Sequence, residues 1–334
     1  MITVKRAGLL TIIQDLGRCG FQKYGVIVSG AMDQTSHRIA NILVGNDENE
    51  PTVEMTLVGP TFQFQEDALI AICGGDLSAT INGIPVHLWR PIYVKKNSEL
   101  KFSACRNGCR AYLAVAGGFK IDKVLNSKST YLRAGIGGLN GSALQTGDQL
   151  SVGHYSILAK KISSSLSKQV KNGYFESKWG VNPKRLTATQ HKNIKEIRVI
   201  RGRQYDWFTE ESQKHFFRSP YTITNQSDRM GYRLQGAKLT LATEQEMISE
   251  AVNFGTIQVP PDGNPIILLA DRQTTGGYPK IGQVIQVDLP IIAQAKPGEK
   301  LCFSEISLTE AHYLYMEREK YINEIKNGIQ LKFN

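Results

Sequence analysis

The chain has 334 residues, 41% of them apolar and 21% charged. That balance describes a globular protein with room for two cores of ordinary domain size, and it excludes a disordered or fibrous chain. The formal charge of +10 is spread over dispersed lysines, densest between 160 and 195, without like-charge blocks or basic-aromatic interleaving. This argues against nucleic acid and membrane as partners and favours anionic small molecules or an acidic protein surface.

In chain order, the opening MITVKRAGLLTIIQDLG has only a brief apolar patch, broken by Gln14 and Asp15. No apolar run reaches the ~18 residues of a membrane span, so neither a span nor a signal peptide is read and a cytoplasmic location is expected. Ser29-Gly30-Ala31-Met32-Asp33 leads into a helix expected over Ala31–Leu43, with apolar spacing at Ile39, Ile42 and Leu43. Phe62–Phe64 and Ala68–Cys73 read as strands. The turn dipeptides Asn82-Gly83 and Asn107-Gly108 predict hairpins over Leu77–Trp89 and Leu100–Val115. Five cysteines, an odd number, argue against a secreted disulfide framework. Cys105 and Cys109 read as packed thiols facing each other across the second hairpin rather than as zinc ligands. The six histidines are scattered, and no metal site is expected.

Residues 159–193 are rich in Ser, Lys and Asn with little periodicity and read as a connector. Beyond them Ile197–Ile200, Ala237–Leu241, Gly255–Val259 and Ile266–Leu269 read as further strands, and Asp206–Phe217 as a helix with Asp206 the N-cap candidate. Ser307 and Glu310 have capping-box spacing ahead of a C-terminal helix whose apolar face includes Ala311, Leu314, Tyr315, Tyr321, Ile322 and Ile325. Short strands at this density leave little room for βαβ crossovers, so the fold class is mainly β. A loose repeat accompanies them: SGAM at 29–32 answers SDRM at 227–230, Glu54-Met55 answers Glu246-Met247, AVAGGF at 114–119 answers DRQTTGGY at 271–278, and TGDQL answers PGEKL. Together these predict a duplicated β-rich domain, with units 1–158 and 194–306, the connector 159–193 and a helix over 307–334.

Familiar nucleotide and nucleophile signatures are missing. GIGGLNG at 135–141 is out of register for GxGxxG, and neither GxxxxGK[ST] nor GxSxG occurs. Four polar clusters remain: Gln14 to Arg18, Ser29 to Asp33, Ser227 to Arg233, and ADRQTTGGYPK at 270–280. The last is the richest, because a buried strand delivers a charged pair, an amide, two hydroxyls and two glycines at its end. Three of the four pair a carboxylate with an arginine within three residues, an arrangement suited to holding an anion beside a base; structural Asp/Arg loop pairs are the plainer alternative. Met32, Met230 and Tyr232 read as core plugs.

The same segments, TIIQDLGRCGFQKYGVIVSGAMD, CGGDLSATING with AYLAVAGGF, SDRMGYRL and GTIQVPPDGNPIILLADRQTTGGYPKIGQV, resemble the allophanate hydrolase subunit 2 family from Val4 to about Ser307. The resemblance implies two tandem cyclophilin-like β-barrels. It also implies a place in an ATP-dependent 5-oxoprolinase complex that opens 5-oxo-L-proline to L-glutamate, with ATP shared with two partners, the KipI-like B subunit together with the LamB/YcsF-like A subunit. On that reading Asp228, Arg229, Asp271, Arg272 and Gln273 form the catalytic set. Gln14, Asp15, Arg18, Ser29, Asp33, Ser227, Arg233, Gln258, Thr274, Thr275, Gly276, Gly277, Tyr278 and Lys280 are expected to bind substrate or anion. Arg229, Arg233 and Arg272 are the expected anion holders, and Asp228 or Asp271 the base or orienter. Two other readings stay open: a non-catalytic antagonist that binds a KipI-like inhibitor of a sporulation histidine kinase, and the carboxyltransferase part of a biotin-dependent urea carboxylase-like system. The chain has no MKM-type biotinyl-lysine site, so a biotin carrier would come from elsewhere.

Overall fold

The structure, a computed structural model, describes residues 1–186 and 194–333. Internal contacts divide the chain into two units: Met1–Arg18 with Asp33–Leu186 and Lys320–Asn334, and Cys19–Met32 with Thr187–Glu319.

The first unit is built from β1 (Ile2–Arg6), β2 (Leu10–Gln14), helix α1 (Gln34–Leu43), β3 (Thr52–Thr56), β4 (Thr61–Phe64), β5 (Ala68–Asp76), β6 (Thr80–Ile81), β7 (Ile84–Pro85), β8 (Pro91–Val94), β9 (Glu99–Lys101), β10 (Asn107–Val115), β11 (Gln149–Leu150), helix α2 (Ile157–Ser167) and β12 (Tyr174–Glu176). Two six-stranded sheets, β11-β1-β4-β9-β6-β7 and β12-β8-β5-β10-β3-β2, face each other. Ile2, Val4, Phe62 and Phe64 of the first meet Ile13, Val53, Ile70, Ile72 and Leu113 of the second in one core. The back of the second sheet is also dry: Leu69, Ala71, Cys73 and Ala114 pack with Ile39, Ile42 and Leu43 of α1, with Ala159 and Ile162 of α2, and with Ile322 and Ile329. Burial on both faces explains why Ala68–Cys73 shows no apolar-polar alternation.

The second unit contains β13 (Ile194–Arg201), α3 (Glu210–Arg218), β14 (Tyr221–Ile223), β15 (Gly231–Gln235), β16 (Glu250–Ala251), β17 (Thr256–Gln258), β18 (Ile266–Leu268), β19 (Thr275–Gly276), β20 (Lys280–Val284), α4 (Leu289–Ala293), β21 (Lys300–Glu305) and the beginning of α5 (Leu308–Phe333). Seven strands close a barrel in the order β13-β20-β17-β18-β15-β14-β21, while β16 and β19 form a separate two-stranded ribbon. Closure removes the free edges of the sheet. Val199, Tyr232, Leu234, Ile257, Ile267 and Ile281 contribute to the barrel core, into which α3 sends Phe216, stacked on Phe303 at 4.8 Å between ring centroids. The mainly-β class is therefore as the strand density predicts.

Several local expectations hold. The hairpin within Leu77–Trp89 is the β6–β7 pair, with Asn82 at φ +51° and Gly83 at φ +81°, the positive values a primed turn requires. Glu310 N–H donates to Ser307 Oγ and Ser307 N–H to Glu310 Oε2, completing the capping box.

Other expectations are corrected. Leu100–Val115 is not a hairpin: β9 pairs with β4 and β6, whereas β10 pairs with β3 and β5, so the chain changes sheets between them. Residues 111–115 are buried on both faces, which suits a central strand, and Gly108 (φ +67°) lies where the β10–β5 register shifts. Cys105 and Cys109 form no disulfide, as expected, but no hairpin sets them across from each other, and Arg110 Nη1 donates to Cys109 Sγ. Ala237–Leu241 makes only a single bridge, from Leu241 to Phe208. Asp206 lies in a short 3-10 turn, and Thr209 caps α3 by accepting from Ser212 N–H. The stretch 159–193 carries most of α2, capped by Ser156, and all of β12. Ala159, Ile162 and Leu166 form the buried face of α2, a periodicity masked by the serines and lysines around it; residues 187–193 lie outside the described residues. Among the described residues no helix is long and apolar enough to cross a membrane.

Phe216 is fully buried and stacked on Phe303, so Phe216→Ala is expected to cost about 3–5 kcal/mol of stability. Urea unfolding followed by circular dichroism checks this, and a loss under about 1 kcal/mol would show that α3 is not anchored through this ring.

Candidate functional site

The end of β18 runs antiparallel to the segment leading into β15, and the pairing continues past both strands: Leu269 N–H donates to Met230 C=O and Asp271 N–H to Arg229 C=O. This register sets Arg229 beside Asp271. Arg229 Nε donates to Asp271 Oδ2 at 2.9 Å and Nη2 to Oδ1 at 3.0 Å, a two-pronged pair with both residues buried. Ser29 Oγ adds a bond to Asp271 Oδ1 at 2.8 Å, and Arg229 Nη2 reaches Gly30 C=O at 2.6 Å. Ser29 and Gly30 both hold positive φ, +57° and +91°. The Asp271 carboxylate is thus occupied by Arg229 and Ser29 and acts as an orienter of the 29–30 turn and the β18 terminus.

Arg272 is different. Its Nη1 donates to Leu269 C=O at 3.2 Å and its guanidinium lies 5.7 Å from the Phe254 ring centroid, but among the described residues no carboxylate forms an ion pair with it. Burial lowers its pKa to about 10, opposed by Cys19 and Asp271, so it is a partly desolvated cation that remains charged at neutral pH. Gln273 and Thr275 are exposed beside it, and the side chains of Gln273, Thr274 and Thr275 make no hydrogen bond among the described residues. The ribbon that follows is firmly held. Lys280 Nζ bonds Glu250 Oε2 at 2.7 Å and Arg203 Nη1 bonds Glu250 Oε1 at 3.1 Å. Gln258, buried, donates to Tyr278 C=O at 3.1 Å, and a Cβ on Gly276 would meet Gln258 Nε2 at 2.5 Å. Tyr278 and Gly277 are exposed.

The first unit holds its own polar cluster. Asp15 Oδ1 accepts from Gly17 N–H, Ser127 Oγ and Ser129 Oγ, and Oδ2 from Lys128 N–H, all within 2.8 Å. Arg18, fully buried, donates to Ser129 C=O. A Cβ on Gly137 (φ +69°) would strike both Ser129 C=O and Arg18 Nη2, which accounts for that glycine. Gln14 Nε2 donates to Thr130 C=O at 2.9 Å. Asp33 caps α1 through Ser36 and its own N–H donates to Tyr112 OH, which in turn donates to Glu54 Oε2 at 2.8 Å. His37 lies fully buried in this layer with Nδ1 2.9 Å from Thr52 Oγ1.

The structure therefore gathers Ser29, Arg229, Asp271, Arg272 and the 273–280 segment in one unit. Gln14, Asp15, Arg18 and Asp33 lie in the other, where they hold backbone turns and a helix end. Asp228 is exposed and accepts Met230 N–H at 2.8 Å, forming a turn, while Ser227 Oγ accepts Arg233 N–H. Arg233 is remote from Arg272 along β15. Ser127, Ser129, Glu54 and Tyr112 escaped sequence reasoning. For Glu54 the alternation Thr52-Val53-Glu54-Met55 was the available signal, because it puts Thr52 and Glu54 on the face opposite the Val53-Met55 core. Met32 and Tyr232 are core residues, as expected.

Burial lowers the His37 pKa from 6.5 to about 4, against the pull of Asp15, the Glu48 backbone and Glu54. A histidine that stays neutral when folded but protonates when unfolded contributes fully above pH 6.5 and loses that contribution as pH falls toward 4. The shift corresponds to roughly 3 kcal/mol across that window. His37→Gln is expected to remove this component, so that the difference in unfolding free energy between neutral and acidic pH shrinks relative to wild type; an unchanged pH dependence would refute the assignment.

Comparison with known proteins adds the context this geometry needs. The model described as carboxyltransferase domain, subdomain A and B, matches residues 24–305. The chain is 40% identical over 320 residues to the C subunit of the Haemophilus influenzae 5-oxoprolinase, covering 96% of each protein, and 38% identical over 325 residues to that of Escherichia coli, covering 97% of each. The crystal structure of the Kluyveromyces lactis urea amidolyase superposes with a TM-score of 0.86 at 30% identity; the match covers 97% of this chain and 20% of that one, so the chain spans about one fifth of its length. The chain belongs to the family of carboxyltransferase domains with subdomains A and B.

Proposed function

We infer that the chain is the C subunit of a 5-oxoprolinase, working with the KipI-like B subunit and the LamB/YcsF-like A subunit to open 5-oxo-L-proline to L-glutamate at the expense of ATP. The observation that carries this reading is the end-to-end match, 96% of both proteins, with the C subunit of a 5-oxoprolinase. The chemistry fits the side chains. A ring amide is a poor electrophile, and ATP supplies the phosphoryl group that turns its oxygen into a leaving group. Water then adds at the ring carbon, the C–N bond breaks as the nitrogen takes up a proton, and a second water releases phosphate from the acyl phosphate that remains. In balance, 5-oxoproline, one ATP and two waters give glutamate, ADP and phosphate.

Each stage concentrates negative charge on oxygen, and in this chain a desolvated cation without a carboxylate partner is suited to hold it. Arg272 has that character. Gln273, Thr274 and Thr275 are its neutral donors, and the exposed Gly277 allows a ligand close to the backbone, while Gly276 makes room for Gln258. Arg229 and Asp271 are positioning residues, because their pair fixes the β18 terminus from which Arg272 projects. Lys280 and Gln258 hold the ribbon that carries the donors.

The test is glutamate release from 5-oxoproline and ATP by this chain alone, by the two partners together, and by all three. Activity is expected only in the full set, and Arg272→Ala is expected to lower kcat by about 100-fold or more while the assembled complex still elutes intact. Equal turnover by the partners without this chain would overturn the reading.

A further inference from the structure

A cavity of about 210 Å³ lies within the second unit, walled by Thr224 and Gln226 ahead of β15, Arg233 and Gln235 on it, Lys238 after it, and Asp262 on the turn before β18. The backbone pairing that brings Arg229 to Asp271 continues to Arg233 opposite Ile266. Four residues of strand separate Arg233 from Arg229, about 13 Å at the usual rise. Arg233 therefore does not join the Arg272 cluster.

Arg233 is exposed, and its guanidinium makes no hydrogen bond or ion pair among the described residues. The side-chain amides of Gln226 and Gln235 are likewise unengaged. Asp262, the carboxylate of the wall, is spent on its own turn: it accepts Asn264 N–H at 3.1 Å and Asn264 Nδ2 at 3.0 Å. Lys238 Nζ lies beside it, donating to Asp262 C=O at 2.7 Å. Two cations, Lys238 and Arg233, thus stand against a single carboxylate and help hold it in its charged form, so the recess keeps a net positive charge, and the amides of Gln226 and Gln235 remain as donors. At ~30 Å³ per water the volume is that of about seven waters, room for one small ligand.

We propose that this cavity is a second binding site, for a small oxyanion: inorganic phosphate or the carboxylate of an amino-acid-sized molecule. The planar guanidinium of Arg233 forks onto the oxyanion, a geometry that lysine cannot supply, while Lys238 and the two glutamine amides provide single donors. The site is independent of the Arg272 reading, since it shares no residue with it.

The full chain is titrated by calorimetry with inorganic phosphate and, separately, with L-glutamate, in the wild type, Arg233→Ala, Arg233→Gln and Arg272→Ala. Saturable binding of at least one probe is expected at about 1–10 mM. Both Arg233 variants should weaken one binding component by about tenfold or more, and that component should persist in Arg272→Ala, which removes only what Arg272 itself holds. The tighter probe identifies phosphate or carboxylate as the source of the oxyanion. Because Arg233 is exposed and unengaged, its variants should melt with the wild type. Binding unchanged in both Arg233 variants, binding lost only in Arg272→Ala, or no saturation by either probe would overturn the proposal. The glutamate-release assay with Arg272→Ala reads the other site, so the two can fail separately.

Discussion

Arg229 and Asp271 form a buried ion pair, and the second unit is organised around its needs. Taking both charges out of water costs several kcal/mol per ion, which mutual attraction offsets only when the remaining donors and acceptors are also satisfied. Here Ser29 Oγ and Gly30 C=O complete the set. The pair does more than lock two side chains. It draws the 19–32 segment onto the barrel and fixes the backbone just past β18, immediately ahead of Arg272, whose guanidinium turns back to the Leu269 and Val252 carbonyls. Replacing either partner alone would strand a charge, a loss of about 3–5 kcal/mol, and would loosen Arg272 at the same time.

Carboxylates and cations have opposite fates in this chain. Asp15 accepts four hydrogen bonds, Asp33 caps α1, Asp271 is shared by Arg229 and Ser29, and Glu250 is divided between Lys280 and Arg203. Each holds backbone or a neighbouring cation in place. Arg272 and Arg233 instead form no direct ion pair among the described residues, although Asp262 lies near enough to Arg233 to feel its charge. An excess of positive charge that structural acids do not absorb is what anionic ligands require, and it gives physical content to the net charge of +10.

The polar stretch after the 266–269 run was legible because a buried apolar strand rarely leads into so many donors without a reason, and Arg272 with its neighbours lies in the turn between β18 and β19. The capping box at Ser307 and the β6–β7 turn were legible because short-range geometry decides both. The hairpin expected over Leu100–Val115 failed because it depended on long-range pairing. Asn107-Gly108 looks like a hairpin turn locally, yet its strand pairs with segments far away in the sequence, Asp76 and Thr56 among them. The correspondence of SGAM with SDRM also had another outcome. Both segments lie in the second unit, where Gly30 C=O accepts from Arg229, so likeness of composition there accompanies direct contact.

A saturated carboxylate is a poor general base, because taking a proton means giving up the hydrogen bonds that stabilise its charged form. Asp271 would have to release Arg229 and Ser29, and Glu250 would have to release Lys280, whose bond already lowers the Glu250 pKa. Asp228, though exposed, is engaged by the Met230 amide. Beside Arg272 this chain offers charge stabilisation and neutral donors, but its flanking acids are committed to structure. Ring opening also requires a group that removes a proton from water and one that delivers a proton to the departing nitrogen. In this chain the acids that orient Arg272 are held by hydrogen bonds that a base would have to give up, so the same side chains cannot serve both ends.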